Sequence, residues 1–141
     1  MLAAATLAIG EAAGDILASA PIVASDPVGP SQRRYANGAV LLDSALEPLD
    51  LLDRMQAIET RFGRRRRGAR WRARVLDIDI VLWSGGAMTH PRLTIPHPHF
   101  RDRTFVTGPA QRIAPQWRDP LSGMTLRQLN ARLTRPRRLP R

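Results

Sequence analysis

The sequence predicts a small domain in which α-helices and β-strands are mixed. Pro48 suits the first turn of a helix, and apolar residues then recur at helical spacing at Leu51, Met55, Ile58 and Phe62. Residues 75–83 alternate with the two-residue period of a strand. Two earlier segments, 16–25 and 34–44, are rich in β-compatible residues and flank a Pro- and Gly-containing loop, which indicates a hairpin.

The other elements are less regular. The first 13 residues are Ala-rich and favour a helix that ends at Gly14. Residues 92–99 read as a Pro-punctuated loop, residues 100–113 as partly helical, and residues 119–123 as a turn before a short C-terminal helix. With 141 residues, 43% of them hydrophobic, we expect one domain over residues 1–133 and a basic, Pro-containing tail over 134–141.

Composition limits the class of protein. The 22 basic residues exceed the 12 acidic ones and give a net charge of +10, which favours an anionic partner. The sequence has no cysteine, which excludes disulfides and zinc–thiolate sites and fits a cytoplasmic protein. Apolar stretches are too short for a membrane helix, which needs about 18 to 20 residues. Neither a Walker phosphate loop nor a Gly-x-Gly-x-x-Gly run occurs.

Two carboxylates give the sharpest chemical signal. Asp77 and Asp79 fall on one face of the predicted strand, about 6.5 to 7 Å apart. Aspartate is disfavoured in strands, and two hard oxygen ligands suit Mg²⁺, which takes its other ligands from water and phosphates. The alternative is that both residues lie on a solvated face of the strand.

An arginine-rich segment, residues 63–74, precedes this strand. Arginines beside a magnesium-bound polyphosphate would neutralise charge during phosphoryl transfer, although such runs are often only solvated. Trp71, within the run, could stack on a planar heterocycle. His97 by itself is more typical of a structural or surface histidine than of a functional one.

Two motifs stand in order in the second half of the sequence, at residues 74–80 (Arg-Val-Leu-Asp-Ile-Asp-Ile) and 93–98 (Leu-Thr-Ile-Pro-His-Pro). They resemble motifs of the 6-hydroxymethyl-7,8-dihydropterin pyrophosphokinase family of folate synthesis. Residues 27–30, 35–37 and 56–59 follow the family's order upstream, and Arg103 with Phe105 does so downstream. The correspondence runs nearly continuously over residues 16–119 and implies an α+β fold with a ferredoxin-like antiparallel sheet covered by helices.

The resemblance also implies a reaction and its residues. ATP would give its pyrophosphoryl group to the pterin's hydroxymethyl oxygen, with two Mg²⁺ ions on Asp77 and Asp79. For the protein itself we expect a monomer whose partners are these small-molecule substrates, with no membrane partner and with nucleic acid disfavoured. Three arginines would steady the transferring group: Arg64, Arg70 and Arg74. The ATP site would be formed by Gln56, Glu59, Arg66, Ile80, Arg92, Thr94, His97 and Arg103. The pterin would be held by Val28, Gly29, Tyr35, Asn37, Trp71 and Phe105.

One departure from the family lies at the N-terminus. Family members open with a strand and a Gly-Ser-Asn type loop, whereas Met1 stands in the region of the first helix. We therefore expect either a start placed too late or a truncated homologue of impaired activity.

A second class of function also fits the charge. A small basic protein could bind nucleic acid by neutralising phosphates. The paired aspartates would repel such a backbone, and no aromatic RNA-binding strand motif or metal-finger pattern is present. The sequence therefore favours the enzyme over the nucleic-acid-binding protein.

Overall fold

A computed structural model describes residues 1–25, 35–64 and 76–136, with only the backbone described at residues 25, 35 and 64. Helices and short strands share these segments, which confirms the predicted α+β class. The helices are α1 Leu2–Ala13, α2 Pro48–Arg64, α3 Thr104–Ile113 and α4 Leu126–Thr134, with a 3₁₀ turn at Phe100–Asp102. The strands are β1 Asp15–Ser19, β2 Val23–Ser25, β3 Tyr35–Asn37, β4 Val40–Asp43, β5 Met88–His90 and β6 Leu93–Ile95.

The described strands form two-stranded sheets. β2 pairs antiparallel with β3, with Ala24 opposite Ala36, and β1 pairs with β4. The predicted hairpin is thus confirmed, but each of its two long strands is interrupted. Pro21, which has no N–H to give to a ladder, separates β1 from β2. Ala20 N nevertheless donates to Ala39 O at 2.8 Å.

The structure corrects the prediction of a strand at residues 75–83, of which residues 76–83 are described. No strand is assigned to them, and none of the two-stranded sheets of the described segments includes them. A strand requires a ladder with a neighbouring strand, which a side-chain pattern alone does not provide. The alternation itself persists, since Leu76 is buried while Asp77 and Asp79 are exposed.

A second correction concerns residues 92–99, predicted as loop. β5 and β6 form an antiparallel hairpin around Pro91 and Arg92, with His90 opposite Leu93. Strands of three residues are too short to show a recognisable alternation. The hairpin buries Ile95, which is 1% exposed.

The chain folds into two compact units. The first comprises residues 1–17 and the described parts of residues 42–97. In it α1 packs against α2, and three residues of the predicted stripe on α2, Met55, Ile58 and Phe62, are buried. Helix α2 is the most accurately predicted element, although it continues one residue beyond the expected end at Gly63.

The end of α1 is fixed by residues that follow β4 and by α2. Ser44 Oγ donates to Ala13 O at 2.5 Å, and Arg54 Nη1 donates to Ala12 O at 3.1 Å, so two terminal carbonyls have donor partners. Gly14 has φ 154°, and a Cβ there would collide with the carbonyl of Asp43. Glycine is therefore required at this turn.

The second unit comprises the described parts of residues 18–41 and 98–141. In it α3 packs on α4, and Thr107 Oγ1 donates to Asn130 Oδ1 at 2.9 Å. A capping box starts α4, because Gln128 N donates to Thr125 Oγ1 at 3.1 Å and Thr125 N to Gln128 Oε1 at 2.9 Å.

A buried ion pair joins the 3₁₀ turn to the turn before α4. Asp119 is 0% exposed and accepts from Arg101 Nε at 2.5 Å and Nη2 at 2.8 Å. Ser122 Oγ and Leu121 N also donate to its carboxylate, at 2.7 and 3.0 Å. The Arg101 guanidinium lies 4.8 Å from the ring centroid of buried Phe100. The hydrogen bonds from Arg101 lower the pKa of Asp119 far below its usual range, although burial opposes the shift.

We predict that Arg101→Ala destabilises the protein by about 3 kcal/mol, because it leaves a buried carboxylate without its cation. Urea denaturation measures the change. Arg112→Ala, which alters an exposed arginine on α3, should cost less than about 0.5 kcal/mol. Equal losses in the two variants would contradict the role given to the ion pair.

A pH dependence follows from the lowered pKa of Asp119. A carboxyl group with a lowered folded-state pKa contributes stability that is present above the unfolded pKa, about 3.9, and is lost as the pH falls below it. We predict that the difference in unfolding free energy between wild type and Asp119→Asn shrinks as urea denaturation is repeated from pH 6 down to pH 3. A constant difference would show that the charge of Asp119 does not stabilise the fold.

Candidate active site

The polar edge of α2 carries the first group of predicted site residues. Burial of Met55, Ile58 and Phe62 fixes the rotation of the helix. The predicted residues are Gln56 and Glu59, and Asp53, which was not predicted, precedes them at the same interval of three, so all lie along one side of the helix. Each of them has a partner in residues 76–97 of the same unit.

Glu59 holds the segment that contains the two aspartates. Its Oε2 accepts a hydrogen bond from the backbone N of Ile78 at 2.7 Å. Ile78 lies between Asp77 and Asp79, so this bond fixes the backbone from which both carboxylates project. A hydrogen bond to a charged acceptor is stronger than a neutral one. Glu59 therefore has a structural partner that its predicted role in ATP binding did not include.

His97 approaches the same segment from the end of β6. Its backbone N donates to Val81 O at 3.0 Å, and its Nε2 lies 3.8 Å from Asp79 Oδ2. The second distance is too long for a hydrogen bond, but it places the imidazole beside the predicted metal ligand. The structure thus brings His97 and Asp79 together.

Arg92 joins the turn of the β5–β6 hairpin to α2. Its Nη2 lies 2.5 Å from Asp53 Oδ1 and 3.3 Å from Gln56 Oε1. Two residues predicted for the ATP site, Gln56 and Arg92, are therefore in contact. Thr94 is exposed on β6 opposite Thr89, and Ile80 is half-buried.

The chemistry of the carboxylate pair fits Mg²⁺. Asp77 and Asp79 are both exposed and offer hard oxygen donors. Across residues 1–25, 35–64 and 76–136, no group of three or more His, Cys, Asp or Glu side chains could hold a metal by itself. Two carboxylates suit an ion that is completed by water and substrate phosphates rather than one enclosed by protein.

The predicted pterin and downstream ATP residues that are described lie in the second unit. Asn37 is half-buried on β3, opposite Val23. The guanidinium of Arg103 lies 5.7 Å from the ring centroid of Phe105 at the start of α3, within cation–π range. A residue predicted for ATP is therefore stacked on one predicted for the pterin.

Several predicted residues lie outside what is described. They are Val28, Gly29, Arg66, Arg70, Trp71 and Arg74, together with the side chains of Tyr35 and Arg64. Their roles stay predictions.

Sequence reasoning missed Asp53 and the Arg101–Asp119 pair. Asp53 precedes Gln56 by three residues, which was the available signal that both share a helix edge. Arg101 and Asp119 are 18 positions apart, and no local pattern in the sequence predicts their contact.

Comparison with known proteins identifies the family. Residues 1–115 match the family model of 7,8-dihydro-6-hydroxymethylpterin-pyrophosphokinase (HPPK). A Pseudomonas aeruginosa protein named 2-amino-4-hydroxy-6-hydroxymethyldihydropteridine pyrophosphokinase is 46% identical over 106 residues, covering 74% of this chain and 65% of the relative. Proteins of the same name from Synechocystis sp. and Haemophilus influenzae are 46% and 43% identical, over 72% and 64% of this chain.

The chain belongs to the HPPK family. It spans 51% of the length of the Synechocystis protein and 56% of the Haemophilus one, so roughly half to two thirds of each relative is matched. No helix in the described segments is both long and apolar enough to cross a membrane.

We predict that Glu59→Ala speeds hydrogen exchange at the Ile78 amide. A hydrogen bond to a charged group contributes about 1.5 to 3 kcal/mol, so protection should fall by roughly tenfold or more. Exchange followed by NMR measures this, with Glu59→Gln as the matched variant, because its amide oxygen can still accept. Unchanged protection in Glu59→Ala would show that the bond does not hold the segment.

Proposed function

We propose that this protein transfers a pyrophosphoryl group from ATP to 6-hydroxymethyl-7,8-dihydropterin, giving AMP and the pterin diphosphate in folate biosynthesis. Membership of the HPPK family supports the reaction. The observation that carries it at the site is the anchored aspartate segment. Glu59 holds the backbone between Asp77 and Asp79, and His97 stands beside Asp79.

The bonds made and broken define the reaction. The hydroxymethyl oxygen of the pterin attacks the β-phosphorus, and the bond between that phosphorus and the oxygen bridging it to the α-phosphorus breaks. AMP leaves with that oxygen, and the hydroxyl proton passes to solvent or to a base. In such reactions the protein contributes mainly positioning and charge neutralisation.

Asp77 and Asp79 would hold two Mg²⁺ ions, whose chemistry when bound is to neutralise the triphosphate and orient it for in-line attack. The exposure of both carboxylates supports this assignment, because the phosphates must reach the same site. The anchoring bond from Ile78 to Glu59 orders the ligands before substrate arrives.

The nucleotide would lie against the first unit. Arg92 and His97 can donate to phosphate oxygens, and Gln56 lies within hydrogen-bond distance of Arg92. We propose nucleotide-binding roles also for Glu59, Arg66, Ile80, Thr94 and Arg103. Arg64, Arg70 and Arg74 would neutralise the transferring group.

The pterin would be held by aromatic faces and by an amide. A flat heterocycle is bound well between rings, and an asparagine can both donate to and accept from its edge. We propose this role for Tyr35, Asn37, Trp71 and Phe105, with Val28 and Gly29 nearby. The stacking of Arg103 on Phe105 supports a site at the start of α3.

We further propose that residues 1–133 act as one catalytic domain with a basic tail over 134–141, and that the protein works as a monomer. Its partners would be the two small-molecule substrates. Because ATP is one of them, we propose a cytoplasmic location.

Mg²⁺-dependent release of AMP from ATP, with and without the pterin, tests the proposed function. Release that requires both Mg²⁺ and the pterin is the expected result. Release of ADP, or no pterin-dependent product together with tight, salt-sensitive binding of RNA, would overturn it in favour of the basic binding protein.

We predict that Asp77→Ala and Asp79→Ala each abolish AMP release while leaving the unfolding midpoint equal or higher. Each variant removes one of two neighbouring like charges and so removes their repulsion. Parallel thermal denaturation separates lost chemistry from lost folding. Asp15→Ala, which removes an exposed carboxylate from β1, should keep wild-type activity. Wild-type turnover in either of the first two variants would refute the metal assignment.

A further inference from the structure

Asp53 makes a contact that neither the family comparison nor the proposed reaction assigns to it. It lies on α2, and its Oδ1 is 2.5 Å from Nη2 of Arg92, 39 residues away in the hairpin turn. The same Nη2 lies 3.3 Å from Gln56 Oε1, one helical turn further along α2. Both acceptors therefore hold one nitrogen of a single guanidinium.

As far as the described segments go, three donors of Arg92 remain for a ligand. A guanidinium has five N–H donors, and the two on Nη2 face Asp53 and Gln56. Within the described segments, Nη1 and Nε make no hydrogen bond. The Arg92 side chain is 46% exposed, so these three donors can reach an anion in solvent.

The pair contributes little to folding, because an exposed ion pair gains little and is screened by salt. Its effect on a ligand is different. A free arginine side chain loses rotamer freedom when it binds phosphate, and a side chain that is already held loses less. The negative charge of Asp53 works against an anionic ligand, but at 57% exposure this repulsion is screened.

We infer that Asp53 is a positioning residue for nucleotide binding: it holds Arg92 through Nη2 so that Nη1 and Nε meet the phosphates of ATP. This inference rests on the proposed function. Asp53 acts only through Arg92 and touches no substrate.

Isothermal titration with Mg²⁺ and α,β-methylene-ATP, which cannot release AMP, tests the inference. Asp53→Ala should weaken binding roughly three- to tenfold, the cost of immobilising one side chain. Asp53→Asn keeps an oxygen at the Oδ1 position and should change affinity less than about twofold. Asp50→Ala, which removes an exposed charge one turn earlier on α2, is the matched control and should bind as wild type does.

The pattern across the variants decides the outcome. If Asp53→Ala and Asp53→Asn weaken binding of the analogue equally, the charge of Asp53 alone explains the change in affinity. If Asp53→Ala binds the analogue more tightly, the carboxylate of Asp53 mainly repels the anionic ligand. Either result overturns the inference. In an Arg92→Ala background, Asp53→Ala should add no further loss, and an additive loss would also overturn it.

Steady-state kinetics separate positioning from chemistry. Asp53→Ala should raise the KM for ATP while leaving kcat and the unfolding midpoint unchanged. If the wild type binds the analogue and Asp53→Ala binds it equally, only this inference fails. If the wild type does not bind the analogue, the proposed function fails with it.

Discussion

The hydrogen bond between the Ile78 backbone and Glu59 is the contact on which the rest of the candidate site depends. No described strand pairs with residues 76–83, so the position of this segment rests on contacts such as the bond to Glu59 and the bond from His97 N to Val81 O. Both aspartates project from that backbone. A carboxylate on a helix with a well-buried apolar stripe is a firm anchor, because rotation of α2 would expose Met55, Ile58 and Phe62. The apolar face of α2 thus fixes the positions of the polar residues on its edge.

The second unit is organised around a buried charge instead. The carboxylate of Asp119 has four hydrogen bonds, two of them from Arg101. A buried ion pair is weak evidence for added stability, but loss of one partner is costly. The pair ties the 3₁₀ turn Phe100–Asp102 to the turn before α4, and Arg103 and Phe105 follow directly at the start of α3. The backbone that carries these two proposed substrate contacts is therefore fixed at its N-terminal side.

The sequence predicted those elements whose pattern is local. The apolar stripe predicted α2, and the two β-compatible segments predicted the β2–β3 hairpin, because one buried face imposes a period on the residues. The prediction of a strand at residues 75–83 was wrong over its described part, residues 76–83, since alternation shows which face is buried and not whether a neighbouring strand is present. The β5–β6 hairpin was missed because three-residue strands have no period. The ordered motifs predicted five residues of the candidate site that lie in one unit: Gln56, Asp77, Asp79, Arg92 and His97. The contacts that orient them could not be predicted, because the bonds of Ile78 to Glu59 and of Arg92 to Asp53 depend on tertiary packing.

NMR mapping of Mg²⁺ with α,β-methylene-ATP tests most directly whether the polar edge of α2, the aspartate segment and the β5–β6 hairpin form one nucleotide site. We predict that the amide shifts change most at Ile78, Ile80, Arg92 and His97, that they change only when Mg²⁺ is present, and that Leu129 on α4 is unaffected. Changes that are concentrated instead at the exposed arginines of α3 and α4, and that do not depend on Mg²⁺, would contradict it and would indicate general binding of anions to a basic surface.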